Sequence, residues 1–311
     1  MTTLTNDVLA LIVLYKPNPS NLLTNVEAVV NQVDALIILD NSPNDYNANN
    51  YSAEIGSLIS RYNDKITFKH NESNLGLPLN YNYAIDLAKM KNMKFLLLLD
   101  QDSKLSENVV KELLSSYYKL SKTFKVGAVS ALNQEQIEFS SDTALWGFYE
   151  RRGMYKKDEI REVAFTINSG FLAPISVYHD VGQYNEKYFL DCVDQEMSLR
   201  MRRHGYKIFI IENAVVYHSE GELFTGRFLF SSIQMKRQVP IRYYYISRGT
   251  FQLLYDYFLV FPSLSFVLLW SMIGRNIKIV SYPSKRLRSW FYTLLGIIHF
   301  LKGIHGEIKE S

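Results

Sequence analysis

The stretch Leu96-Leu97-Leu98-Leu99-Asp100-Gln101-Asp102-Ser103 runs four leucines straight into two carboxylates separated by one residue. Apolar residues without alternation suit a strand covered on both faces, as in a parallel sheet, and charge is then tolerated only at the strand's tip. Working outward, similar short apolar runs fall at Val8 to Leu14, Ala35 to Leu39, Ile66 to Lys69, Phe95 to Leu99 and Val126 to Val129, with helical patterns between them. This alternation predicts an α/β fold with a mostly parallel central sheet. Such sheets bind ligands beyond the carboxyl ends of their strands. The residues there are Tyr15 and Pro17, Asp40-Asn41-Ser42, His70-Asn71, and Asp100-Gln101-Asp102.

The first helix is expected to be capped at Ser20, with Leu22, Leu23, Val26, Val29 and Val30 on one face. A later helix is expected from about Ser106, with Glu107 in its first turn and Val109, Val110, Leu113 and Leu114 buried. Residues 132 to 161 form a polar and aromatic stretch. Val163 to Ile167 then reads as a strand, Val193 to His204 as a helix, and Lys207 to Ile211 and Ala214 to Tyr217 as two short strands ending at His218. Residues 222 to 240 read as a loop, and from Ile241 the chain becomes aromatic, apolar and punctuated by Arg and Lys. The domains expected are 1–240, with halves of about 1–130 and 131–240, and a helical segment 241–311.

At 311 residues and 36.1 kDa the chain can bury a large core. A net charge of +3 is too small to argue for nucleic acid as a partner. One cysteine, Cys192, excludes an internal disulfide and a thiolate metal cluster. Met1 to Asp7 lacks a basic stretch followed by an apolar one, so a start on the cytoplasmic side is expected.

Neither a dinucleotide G-x-G-x-x-G nor a phosphate-cradling G-x-x-x-x-G-K-[ST] is present, which removes support for hydride transfer and for P-loop chemistry. The sheet edge offers carboxylates instead. Asp100 and Asp102 could present oxygens to a hard divalent cation and a ribose hydroxyl, or could simply cap the following helix. His218 could complete a cation site or be a hydrogen-bonded structural residue. Asp191, Asp194 and Glu196 could include a general base, or could serve only as favourable charge in a helix's first turn. Arg242 and Arg248 sit among tyrosines, an arrangement suited to diphosphate and sugar contacts or to a solvated helix face.

In order along the chain, these elements resemble the inverting glycosyltransferases of family 2, with the GT-A fold (nucleotide-diphospho-sugar transferase), and among them the rhamnosyltransferases that use dTDP-L-rhamnose. The resemblance runs from about Val8 to about Phe251. It is carried by Asp40-Asn-Ser42, Asn74-Leu-Gly76 through Asn82, Asp100-Gln-Asp102-Ser103 and Asn168-Ser169-Gly170, then by Phe189 to Arg200, Tyr217-His218 and Arg242 to Arg248. It implies Asp40 at the base, with Tyr15 and Pro17 beside it, and Asn41, Asn74, Gly76, Asn82 and Gln101 shaping the nucleotide pocket. It implies Asp100 at the ribose, and Asp102 with His218 on Mg²⁺ or Mn²⁺. Asp194 is implied as the general base, with Asp191 as competitor, Arg242 and Arg248 on the diphosphate, and Asn168, Ser169, Gly170 and Glu196 toward the acceptor. One departure is Gly249, where family members often carry asparagine.

Tyr257 to Gly274 is uncharged, at the lower edge of a transmembrane length, and Pro262 interrupts it. From Arg286 to Lys309, Leu287, Trp290, Phe291, Leu294, Ile298 and Leu301 fall at helical spacing between basic residues. The expectation is a helical, amphipathic C-terminal extension on the cytoplasmic face of a membrane, peripheral or monotopic, against a packed subdomain or an oligomer contact. The resemblance implies a nucleotide-sugar donor, dTDP-rhamnose favoured, and a lipid-linked saccharide acceptor in bacterial surface polysaccharide assembly. The rivals are a UDP-hexose or UDP-galactofuranose donor, and an inactive scaffold that binds sugar nucleotides.

Overall fold

A computed structural model of the chain describes residues 7–43, 52–62, 64–133, 156–157, 159–218, 223–228, 231–236, 239–280 and 285–308. The chain divides into two compact units, residues 1–184 with 197–219, and residues 185–196 with 220–311. The segment that carries Asp191 and Asp194 therefore groups with the C-terminal helices.

The first unit is built on one sheet. Its strands are β1 (Val8–Leu14), β2 (Ala35–Asp40), β3 (Ile66–His70), β4 (Phe95–Asp100), β5 (Ser103–Leu105), β6 (Val126–Asn133), β7 (Lys156–Lys157), β8 (Ile160–Val163), β9 (Phe171–Pro174) and β10 (Lys207–His218). They lie in the order β3-β2-β1-β4-β9-β6-β10-β8-β7, with β5 pairing β10 off that path. β1 to β4 pair in parallel, as do β6 and β10. β9 runs antiparallel between β4 and β6, so six strands, β1 to β4, β6 and β10, point the same way. Val8 to Ile12, all of Leu36 to Leu39 and Leu96 to Leu99 are buried, which is why these strands read as continuous apolar runs.

The helices of this unit are α1 (Pro19–Val30), α2 (Ser52–Arg61), α3 (Gly76–Met90), α4 (Val109–Leu120) and α5 (Ile175–Val181), followed by α6 (Val193–Arg203), through which the division between the units passes. Leu22, Val26, Val29 and Val30 of α1 and Val109, Val110, Leu113 and Leu114 of α4 enter the same core as β1 and β2.

Five local expectations are corrected. α1 starts at Pro19, with the Asn18 carbonyl accepting from Asn21 and Leu22, so Ser20 lies inside the first turn; proline's fixed φ and missing N–H suit that place. α4 starts at Val109, not near Ser106, because residues 103–105 form β5 and the Ser106 amide is taken by the Val215 carbonyl. The strand expected at Val163 to Ile167 is β8, Ile160–Val163; Ala164, Phe165 and Thr166 are buried without joining a ladder, so their apolar run marks burial alone. The two strands around Asn213 are one strand, β10, whose register against β6 shifts between Ile211 and Val215, as at a β-bulge. The loop expected over 222–240 contains an antiparallel ribbon, β11 (Leu223–Phe228) with β12 (Ser231–Lys236). Most of the stretch 132–161 lies outside the described residues.

Among the described residues, the second unit carries that ribbon and three helices, α7 (Pro240–Tyr257), α8 (Pro262–Val280) and α9 (Arg286–Leu301). Pro262 opens α8 instead of interrupting a helix. Phe189, Tyr244, Tyr245 and Tyr292 form its aromatic core, with Phe189 stacked on Tyr245 at 5.2 Å between ring centroids. Among the described residues, no helix is long and apolar enough to cross a membrane.

Candidate active site

At the carboxyl edge of the parallel strands, the ends of β2 and β3 are joined by polar groups. Asp40, wholly buried, accepts from the Ser42 amide at 2.9 Å and pairs with His70 Nδ1 at 2.7 Å, its register partner on β3. Asn41, next along, is buried and its Oδ1 accepts from Asn71 Nδ2 at 2.8 Å and Asn80 Nδ2 at 3.1 Å; Asn71 also donates to Asn80 Oδ1 at 2.9 Å. Three buried amides thus join the ends of β2 and β3 to α3, and the Nδ2 groups of Asn41 and Asn80 also donate to the Gly76 carbonyl. Asn74 Oδ1 accepts from the Gly76 amide at 3.1 Å, and Gly76, with φ +74°, supplies the left-handed conformation that lets α3 begin there. Asn82 holds the backbone of Tyr184 by two bonds, of 2.7 and 3.0 Å, a structural use of its amide.

The tip of β1 is tied to the acidic turn. Gln101 accepts from the Tyr15 amide at 2.8 Å and donates to the Tyr15 carbonyl at 3.3 Å. The Lys16 amide reaches Ser42 Oγ at 2.8 Å, Lys16 takes φ +48°, Tyr15 is exposed, and Pro17 is buried. This leaves an exposed tyrosine ring at the edge where Asp100 and Asp102, both half-buried, emerge.

The acidic turn is closed from the far side by β10. β5 pairs antiparallel with it, with His218 opposite Ser103, one residue from Asp102. The side chain of His218 lies outside what is described. Ser103, wholly buried, meets the hydroxyl of Ser169, also wholly buried. Gly170 follows at φ +85°, where a Cβ would sit 2.8 Å from that of Ala131 and 3.1 Å from Val216. Asn168 is buried and accepts from the Tyr184 hydroxyl at 3.4 Å. Ser169 therefore supports the acidic turn through Ser103, while Gly170 donates its amide to the Leu98 carbonyl of β4 and accepts from the Ala131 amide of β6. The donors fit a hard cation: carboxylate oxygens on a strand-end turn, with an imidazole-bearing residue brought beside them by register. Among the described residues no cluster of three metal-ligating side chains is assembled.

The second unit holds the other acidic group. Asp191 Oδ1 accepts from Nε and an Nη of the exposed Arg242, both at 3.4 Å. Cys192 has φ +67°, a left-handed conformation unusual for a residue with a side chain, and this turn presents Asp194 in the first turn of α6. Gly249 of α7 packs on the turn: a Cβ there would lie 2.9 Å from the Asp191 carbonyl and 3.2 Å from Cys192. Glu196 is 3 % exposed and accepts from the Tyr257 hydroxyl at 2.9 Å; Tyr188 donates to Asp256 at 2.9 Å. Burial, followed by the nearby Asp256 and Glu196 charges, holds the Tyr188 hydroxyl well above its ordinary pKa, so it stays a donor.

Arg248 is 3 % exposed; its guanidinium donates to the Tyr244 hydroxyl at 2.8 Å and the Gly306 carbonyl at 2.9 Å, over the rings of Tyr244 and Tyr245. Of the two arginines, Arg242 is the one open to solvent. Sequence reasoning noted Ser42, His70, Asn71 and Ser103 at the strand ends without assigning their bonds, and missed Asn80. Their partners lie on other elements, and no local spacing signals such bonds.

Comparison with known proteins shows the family and the fold. The profile of glycosyl transferase family 2 matches residues 10–179. The chain is 24 % identical over 255 residues to the dTDP-rhamnosyl transferase RfbF of Shigella flexneri, covering 80 % of each chain. In structure it resembles the mannosyltransferase PcManGT of Pyrobaculum calidifontis, solved with GDP-Man and Mn²⁺ (TM-score 0.56, 10 % identity, 95 % of this chain and 87 % of that one). It also resembles GalNAc-T7, solved with UDP, GalNAc and Mn²⁺ (TM-score 0.53, 15 % identity, 68 % of this chain and 43 % of that one). The fold is GT-A, as expected from the sequence.

Proposed function

Because the chain belongs to glycosyl transferase family 2, we propose that it is an inverting transferase moving L-rhamnose from dTDP-L-rhamnose to a lipid-linked saccharide in bacterial surface polysaccharide assembly. The similarity to a dTDP-rhamnosyl transferase over 80 % of both chains supports the donor. The observation that carries the reading is the acidic turn at the carboxyl edge of β4, with His218 in register beside it.

Asp40 is wholly buried with its oxygens engaged by His70 and the Ser42 amide, so its cover must move aside for it to take the thymine N3–H, while the exposed Tyr15 lies against the base. Asp100 binds the ribose. Asp102, with His218, would hold Mg²⁺ or Mn²⁺, which neutralises charge on the diphosphate. The diphosphate contact falls to Arg242, since the Arg248 guanidinium is enclosed by Tyr244 and Gly306. Asp194 accepts the acceptor's hydroxyl proton. As it does, the hydroxyl oxygen forms its bond to the anomeric carbon, the bond to dTDP breaks, and its electron pair leaves on the diphosphate. A leaving group of this kind needs no general acid. Attack from the opposite face converts a β-linked donor into an α-linked rhamnoside.

The test is turnover of a panel of sugar nucleotides with divalent metal and a lipid-linked acceptor. Turnover of dTDP-rhamnose in preference to UDP-hexoses and UDP-galactofuranose is expected. Turnover of one of those alone would overturn the donor assignment, and binding of every donor without transfer would overturn the catalytic one.

A further inference from the structure

α9 carries apolar residues on two faces. Its inner face puts Tyr292 into the unit's aromatic core with Leu295 packed beside it, and sets Phe300 against Phe251. Ser289 and Gly296 are buried on that face as well, and a Cβ on Gly296 would collide with the Ser247 hydroxyl and the Tyr244 carbonyl of α7. Ser247 Oγ donates to the Thr293 carbonyl at 3.0 Å, and Tyr244 Oη pairs with His299 Nδ1 at 2.8 Å. Leu287, Trp290, Phe291, Leu294, Ile298 and Leu301, at intervals of three and four, are left facing outward, with Leu287 84 % exposed. A helix docked on its own core needs only its inward apolar residues, with polar ones opposite. Here a second apolar stripe is what the unit presents to its surroundings.

The chain before α9 repeats the pattern. Leu259 is 91 % and Trp270 72 % exposed, and Phe266 stands out as well. Exposed aromatics and leucines in such density are rare on soluble monomers and mark an interaction surface.

Charge identifies the partner. From Tyr257 to Gly306 there is no aspartate or glutamate, while Arg275, Lys278, Lys285, Arg286, Arg288 and Lys302 supply six positive charges; the whole chain has a net excess of only three. Lys285, Arg286, Arg288 and Lys302 are exposed at the two ends of α9. An apolar stripe with basic residues at both ends and no carboxylates matches a surface with acyl chains beneath anionic headgroups. A second copy of this face would bring the same positive charges together, which disfavours self-association. No described helix can cross a membrane, so the mode is in-plane.

We infer that α9, with the exposed apolar residues between α7 and α8 and on α8, docks the protein on an anionic lipid surface, on the cytoplasmic side if the donor is cytoplasmic. The inference rests on the surface of the second unit and is independent of which sugar is transferred.

The experiment is co-sedimentation of the full chain with vesicles of phosphatidylcholine plus phosphatidylglycerol, and of phosphatidylcholine alone, beside its elution on a sizing column. The comparison variants are L287S/F291S/L294S and K285Q/R286Q/R288Q, each checked by thermal melting. Wild type should bind the anionic vesicles at least about tenfold more tightly than the neutral ones, less so at high salt. The serine variant should bind about tenfold or more weakly, the glutamine variant should lose the preference for anionic lipid, and both should melt as wild type does. Equal binding by wild type and both variants would overturn the inference. So would a wild type that ignores vesicles but elutes as a dimer dispersed by the serine substitutions. No sugar nucleotide is present, so failure here leaves the donor assignment untouched.

Discussion

Ser103 on β5 lies in register against His218 on β10, so two short stretches far apart in the chain meet one residue from Asp102. If Asp102 holds the cation, Asp102→Asn should lower kcat/KM by about a hundredfold or more, and His218→Ala should weaken apparent metal affinity about ten- to hundredfold. Initial rates against Mn²⁺ and Mg²⁺ concentration check both; an unchanged metal dependence in both variants would remove the pair from the site.

Asp194 and Asp191 are separable. Asp191 accepts from the Arg242 guanidinium, whereas Asp194 Oδ1 accepts from its neighbouring amide, Gln195 N, at 3.0 Å. As the base, Asp194 should lose about 10²- to 10⁴-fold in kcat as asparagine. Asp191→Asn should act mainly on KM through Arg242. Near-normal transfer by Asp194→Asn would reassign the base.

Gly249→Ala offers a test of sign. Within a helix this change ordinarily stabilises by about 0.5–1 kcal/mol. Here the new methyl would meet the Asp191 carbonyl at 2.9 Å and Cys192 at 3.2 Å. A loss of about 1–3 kcal/mol is expected instead, with reduced kcat as the turn bearing Asp194 shifts. Asparagine at this position, common in the family, should be worse in this chain. Chemical denaturation of the alanine variant checks it, and a gain in stability would show that the contact relaxes freely.

The second unit should be sensitive to acid. Burial first, and then Arg248 and Lys302, hold His299 below its ordinary pKa, while burial, Arg248 and Lys187 do the same for His305. The unfolded chain therefore takes up these protons first as pH falls, so stability is intact above about pH 6.5 and declines below it. Melting temperatures should drop below that pH in wild type and drop less in H299Q/H305Q. Identical slopes would place the acid sensitivity elsewhere.

How much of this was legible in advance varies by element. β1, β2, β3 and β4 were visible because strands buried on both faces are apolar at every position, and the carboxylates at their ends marked the functional edge. β5 was not visible, since three residues become a strand only by pairing with β10. The 223–236 ribbon was missed because its sequence mixes polar and apolar residues without clear alternation. Asp40, Asn41 and Asp102 were named from position, but the bonds from His70, Asn71 and Asn80 that orient the first two depend on partners on other elements.

By itself the sequence determined the α/β class, the strand-end acidic turn and the family, because periodicity, burial and ordered motifs are properties of the chain. Only the tertiary structure decided that Arg248 is enclosed while Arg242 is open, that Gly249 seats the turn before Asp194, and that the apolar stripe of α9 faces outward. Those outcomes depend on which surface of each helix its neighbour occupies. A helical pattern shows that a stripe exists; the packing of Gly296 against Ser247 and Tyr244 decides which side is covered.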